Sequence, residues 1–436
     1  MKRSLKGAAA LVAGVSIIGL APMAFGETVA DPTAEVDYSG TLSVLTKFGS
    51  QRLSPYFADL AKAYEAAHPD VKVDLTQATD DSVKGKTKTL VASNSIPDVF
   101  FSWTGTWGGN FIRGDRAVDL TPVIGPDSDW GKTFAPAAVK AFVYNGKYYG
   151  IPLYLDAKFM GYNKAIFAEA GVDVPTDFED LLASCDAIRA AGYTPISLGN
   201  KEAWPVVHYL GQLLAYNVPE ATLERDYDPA TAEYTDPGYV ASLEQFKQLE
   251  DRCTDGADMN GISYQNAIQA LSDGKSAMYY QEIIEFDESA TDATKLKPEE
   301  FGFFKLPAPK DAKGDPDALE GAPEGYMISS APTNVPPAPD FMQLVTWKQN
   351  AAVLSAPPSG PPSPGTGAAG AAPVTHEVVA GLDDIAKASY LIQWLDTVNH
   401  PRVAAAWLSG LQAFAGGSMT ADEVMDEVRK AADAAK

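Results

Sequence analysis

Apolar and polar positions in the first third of the chain follow two alternating periods. Leu42, Val44 and Leu45 make residues 41–45 a predicted strand. Ser54 then supplies a helix cap, and Pro55 suits a first helical turn. Phe57, Leu60, Ala61 and Tyr64 recur at helical spacing, so this helix has one buried face, and His68-Pro69-Asp70 stops it. Val71, Val73 and Leu75 alternate as a second strand. A polar helix is expected over 82–92, and Val99-Phe100-Phe101 reads as a third strand. This β-α-β-α-β order predicts a parallel sheet with helices packed on it.

The style persists downstream. Residues 148–155 read as extended, 163–170 and 177–191 as helices, and 195–198 as a strand. Helices are expected over 204–214, 239–251 and 266–273, and extended pieces over 276–280 and 301–306. Three prolines at 336, 337 and 339 delay the next helix to about Asp340. Pro, Gly, Ala and Ser dominate 354–373, a loop or wrapping segment. Two helices close the chain, 385–398 and 421–434, the second capped by Thr420.

The N-terminus changes the picture from fold to destination. Lys2, Arg3 and Lys6 precede an apolar stretch over 8–20, and the small residues Ala24 and Gly26 then mark an export cleavage site. Gly14, Gly19 and Pro22 interrupt the stretch, which is too short for a membrane span. No cysteine follows it, so a lipid-anchoring box is missing and a free periplasmic or secreted protein is expected.

The remaining chain of about 410 residues suits two domains. Losing Lys2, Arg3 and Lys6 and no acid takes the formal charge from -23 to -26. Such a surface repels nucleic acid and anionic membranes and favours a neutral or cationic ligand. An exported setting permits one bridge between Cys185 and Cys253, although a buried free thiol also fits Cys185 on its amphipathic helix. His68, His208, His376 and His400 lie far apart without metal-ligand spacing, and no cofactor is expected.

With these signals in order, the chain resembles the extracellular solute-binding proteins of ABC importers, in the maltose-binding-like sugar-binding branch. The segments that carry the likeness are "YFADLAKAYEAAHPDVKV", "ASNSIPDVFFSWTGTWGGNFIRGDRAVDLTP", "YNGKYYGIPLYLDAKFMGYNKAIF", "ALSDGKSAMYYQ", "LEGAPEGYMISS" and "AAAWLSGLQAFAGGSMTADEVMDEVRKAA". The resemblance implies a two-lobed α/β fold of the periplasmic-binding-protein type II. Its lobes are joined by extended crossovers, with the ligand cleft between them. It places 1–26 in the signal, 27–150 and 306–340 in the first lobe, and 151–305 and 341–436 in the second. It further implies a monomer without catalytic activity that closes on a small polar ligand, a sugar above all, and hands it to membrane permease subunits.

Sugars present flat apolar faces edged by hydroxyl pairs, so aromatic rings and carboxylates are the groups to seek. Trp103, just past the third strand, is a candidate platform, and Trp204, after the loop "GNKEAW", could cover the ligand from the second lobe. Asp156 stands where the family carries a carboxylate, with a hinge ion pair to Lys158 as the alternative role. Tyr280 and Glu282 end a strand, but Ile283-Ile284 follow where many relatives have Gly and Trp, which puts that subsite in doubt. Glu320 and Glu324 flank the return to the cleft, and Lys47 and Phe48 end the first strand. A secreted glycoside hydrolase would need two carboxylates across a scissile bond, and no pair stands in such a setting. A sensor partner or a non-sugar polar solute remains compatible with the same closing mechanism.

Overall fold

The computed structural model describes residues 31–330, 337–356, 360–365 and 375–436. The export signal expected over residues 1–26 and Pro336 lie outside them. Eleven strands are present among the described residues. They are β1 (Gly40–Thr46), β2 (Val71–Gln77), β3 (Val99–Ser102), β4 (Val143–Tyr144), β5 (Lys147–Tyr148), β6 (Gly150–Asn163), β7 (Thr194–Ile196), β8 (Ser276–Glu282), β9 (Phe301–Phe304), β10 (Leu319–Ile328) and β11 (Leu391–Ile392).

In the first lobe β2, β1 and β3 run parallel, as the β-α-β-α-β order requires. The helix Ser54–Ala67 buries Tyr56, Phe57, Ala61 and Tyr64 against them. The helix Asp80–Ala92 starts at a capping box of Thr79 and Ser82. β3 is buried along its whole length, the pattern of a strand covered on both faces. The second lobe has its own core around the helices Phe178–Ala190, Trp204–Asn217 and Pro237–Cys253. Asn163 and Asp177 cap two of its helices through their side chains. Cys185 and Cys253 are joined in a disulfide that ties two of these helices together.

The lobes share two long strands. β6 pairs antiparallel with β10 over its first half, then with β8 and β9 over its second, so it begins in one lobe and ends in the other. β10 returns, pairing with β11 at its start and β3 at its end. The ladder between β6 and β10 shifts register at Glu324/Gly325, a bulge at the crossing point.

Four sequence boundaries need correction. Residues 341–355, assigned to the second lobe, pack on the first: the Tyr56 hydroxyl donates to Val345 O (2.6 Å), and Trp130 Nε1 to Thr346 Oγ1 (3.0 Å). Residues 306–318, assigned to the first lobe, bring Leu306 and Ala318 into the second lobe's core. The helix Pro337–Thr346 starts three residues before Asp340, because Pro337 and Pro339 fall in its first turn, where no amide donor is needed. The stretch 385–398, read as one helix, is broken: His376–Lys387 is helical, β11 follows, and a short helix Leu395–Val398 comes after it.

Candidate ligand-binding cleft

The cleft is built from strand ends and helix starts that meet at the crossovers. The first lobe contributes Lys47 after β1, Asp80 and Lys84 from the first turns of Asp80–Ala92, and Trp103 after β3. The second lobe contributes Trp204 and His208 from Trp204–Asn217 and Glu282 from the end of β8. Glu324 comes from the β10 bulge, and Trp394 and Asp396 from the segment that follows β11. The space they enclose is about 20 Å³, room for roughly one water. A larger ligand enters only if the lobes part.

Glu324 is the hub. It accepts from the Tyr154 hydroxyl (2.5 Å) and from Trp394 Nε1 (3.0 Å), and pairs with Lys47 Nζ at 2.6 Å. Lys47 also meets Asp80 at 2.9 Å and faces the rings of Phe101, Trp103 and Tyr154. Burial disfavours its ammonium, but Asp80 and Glu324 outweigh burial and hold its pKa well above the ordinary lysine range. Lys84 pairs with Asp396 across the lobes and lies 4.6 Å from the Trp103 ring centre. Trp394 stacks on His208, centroids 4.7 Å apart and nearly parallel. Burial, with Lys158, Lys84 and Lys47 nearby, drives the His208 pKa well down. That imidazole is therefore neutral, and the 3.9 Å approach of its Nε2 to Asp396 is not an ion pair.

Of the residues singled out from sequence, Lys47, Trp103, Trp204, Glu282 and Glu324 line the cleft together. Phe48 does not. It follows Lys47, so strand alternation turns it inward, where it packs edge-on to Phe57 at 5.3 Å. Tyr280 is also interior, against Tyr209 at 4.6 Å, its hydroxyl reaching Glu320 at 3.4 Å. Glu320 sits fully buried beneath Gly211 of Trp204–Asn217, four residues deeper in the second lobe than Glu324. Burial, reinforced by Asp396 and Glu282 against Lys158, raises its pKa well above the carboxylate range.

Asp156 lies on β6 opposite Ala322 of β10, fully buried behind the cleft rather than in its wall. Neither carboxylate oxygen has a hydrogen-bond partner among the described residues. Burial first, then Glu282 and Glu324, push its pKa well up and favour the neutral acid. The proposed ion pair with Lys158 is not formed; Lys158 pairs instead with Glu282 at 3.2 Å. Sequence reasoning missed Asp80, Lys84, His208, Trp394 and Asp396. For Asp80 and Lys84 the usable signal was their place in the first turns of a helix that follows a parallel strand.

The arrangement offers three indole faces and several carboxylates and ammonium groups, in a place that joins or separates as two bodies move. Residues 50–373 match the family model described as bacterial extracellular solute-binding protein. A binding protein of Brucella abortus (strain 2308) is 26% identical over 316 residues, covering 71% of this chain and 70% of the other. The diacetylchitobiose binding protein of Streptomyces coelicolor is 23% identical over 312 residues, 70% of this chain and 69% of its own. Among solved structures, a chitin oligosaccharide binding protein superposes with a TM-score of 0.83 at 21% identity, covering 92% of this chain and 99% of that one. The matched stretch of sequence, together with the two-lobed fold and its paired crossing strands, places the chain in the family of bacterial extracellular solute-binding proteins.

Proposed function

We propose that the protein captures a carbohydrate between its lobes outside the cytoplasm and delivers it, as a monomer, to the permease subunits of an ABC importer. The observation that carries this reading is the convergence of Trp103, Trp204 and Trp394 on one cleft beside carboxylates from both lobes and the hinge. Indoles suit the apolar faces of pyranose rings, and carboxylates accept from their hydroxyls. Lys47, Lys84 and Lys158 face Glu282, Glu324, Asp80 and Asp396, so the cleft is close to charge balance although the chain is strongly acidic. That balance favours a neutral polar ligand over a polyamine. The names of relatives that bind sugars point the same way. Capture by closure needs no covalent chemistry, so the protein acts as a carrier and not an enzyme.

The test is a thermal-shift screen of the mature protein against mono- and oligosaccharides, polyols and polyamines. A ligand at a hundredfold excess over its dissociation constant stabilises the folded state by about 2.7 kcal/mol, read as a rise of several degrees. A carbohydrate hit lost in Trp394→Ala supports the reading. A response to amines alone removes it.

A further inference from the structure

One face of the crossing ribbon lies directly behind the cleft. Side chains alternate along a strand, so Tyr154, Asp156 and Lys158 of β6 share that face, as do Glu320, Ala322 and Glu324 of β10. Tyr154 donates to Glu324, while Lys158 pairs with Glu282 and lies 4.9 Å from the centre of the Trp204 ring. Asp156 stands between these two, with neither carboxylate oxygen matched among the described residues. The residue opposite it is Ala322, whose methyl offers no donor.

The charged groups that act on Asp156 come from four elements: Lys158 on its own strand, Glu282 at the end of β8, Glu324 on β10 and Lys47 after β1. Both ammonium groups are already matched, Lys47 by Asp80 and Glu324, and Lys158 by Glu282. An ionised Asp156 is therefore a surplus charge, fully buried and without a donor, and one proton removes its cost. That cost belongs to the closed posture. Lys47, Glu282 and Glu324 all line the cleft, and Lys47 and Glu282 stand on opposite lobes. Parting the lobes draws these two apart and lets water reach the face behind them, where a carboxylate is stable.

We infer that Asp156 couples lobe closure to the uptake of one proton, so that acid favours the closed posture between pH 8 and pH 5. The inference rests on the proposed capture by closure and is independent of which solute is captured. Its sign follows from linkage. Closed protein holds the Asp156 proton more tightly than open protein, whose carboxyl titrates in the ordinary range. The support for closure is therefore complete below that range and is lost as pH rises above it. By reciprocity, a solute that closes the lobes is held more tightly as pH falls.

The experiment is single-molecule energy transfer on the mature chain, with dyes on Lys62→Cys in the first lobe and Lys430→Cys in the second. Both positions are exposed, and Cys185 and Cys253 are bridged to each other, so the introduced thiols take the dyes. Open and closed fractions are counted from pH 8 to pH 5 without solute. The closed-to-open ratio of the labelled parent rises as pH falls, by as much as about tenfold per unit for one proton. Asp156→Asn, of the same shape and unable to ionise, stays near the acid ratio and flattens the profile. Asp156→Ala serves the same purpose if the amide disturbs the fold. A pH dependence that survives in these variants overturns the proposal. So does one that Glu285→Gln removes instead, since that places the proton elsewhere in the second lobe. A ratio that ignores pH but responds to a sugar from the thermal-shift screen overturns the proton coupling and spares capture by closure. One that responds to neither overturns both.

Discussion

Glu285 provides a direct check on the electrostatics behind the cleft. It closes the short turn Ile283–Glu285 after β8, is only 5% exposed, and accepts a hydrogen bond from Glu282 N at 2.9 Å. Burial raises its pKa to about 8; Lys158 opposes the shift, and Glu282 and Glu288 add to it. In the unfolded chain the same group titrates near 4.5. The folded state therefore binds its proton more tightly, so the contribution to stability is complete below pH 4.5 and is lost as pH rises towards 8. At about 1.36 kcal/mol per pH unit, the loss reaches about 3 kcal/mol by pH 7 and about 4 kcal/mol by pH 8. Glu285→Gln keeps an acceptor for Glu282 N but cannot ionise. Urea denaturation at pH 4.5, 6, 7 and 8 should find variant and wild type equal at the lowest pH. Above it the variant should be progressively more stable, by up to those amounts. Parallel stability profiles across this range would show that the carboxyl is not held neutral and would refute the reasoning.

Other perturbations probe separate parts of the molecule. Glu324→Ala leaves the Tyr154 hydroxyl and Trp394 indole without acceptors and Lys47 with Asp80 alone. It should cost about 3–5 kcal/mol, measured by denaturation, and clearly more than Glu282→Ala, whose ion pair is less enclosed. Reduction of Cys185–Cys253, which closes a 68-residue separation, should lower stability by about 4 kcal/mol on loop entropy. An unchanged melting curve with reductant would contradict this. Gly211→Ala would set a methyl 2.4 Å from Glu320 Oε1. It should lower the melting temperature despite alanine's better helix propensity, and adding Glu320→Ala should restore part of the loss.

The first lobe was legible because its strands and helices carry distinct periods: β1, β2 and β3 fall where Leu42, Val71 and Val99 place them. The crossing of β6 was half legible. Residues 148–155 read as extended, but the strand continues to Asn163, since a run buried on every side has no alternation to mark its length. In the cleft, Lys47 and Trp103 were found because strand ends point towards it, and Phe48 was misread because adjacent strand residues face opposite ways. Trp394 and Asp396 escaped for a different reason. Ile385, Leu391 and Leu395 suggest one helix over 385–398, whereas the backbone leaves the helix after Lys387 to pair Leu391 and Ile392 with β10. That pairing is a long-range contact, and no local period encodes it. The bridge between Cys185 and Cys253 was likewise permitted by the count and decided only by two helices lying side by side.

The two crossing strands are bonded to each other, and this governs how the molecule moves. A ribbon of two hydrogen-bonded strands acts as a torsion bar: it twists and flexes with its ladder intact, whereas sliding one strand past the other would break every rung. Opening therefore leaves the backbone bonds between residues 151–157 and 321–326 in place. Amides in that ribbon should resist exchange with deuterium in both postures, while the Trp394 side-chain hydrogen exchanges at the rate at which the jaws part. The free energy separating the two postures then resides in a handful of side-chain contacts. A single small solute can tip so fine a balance.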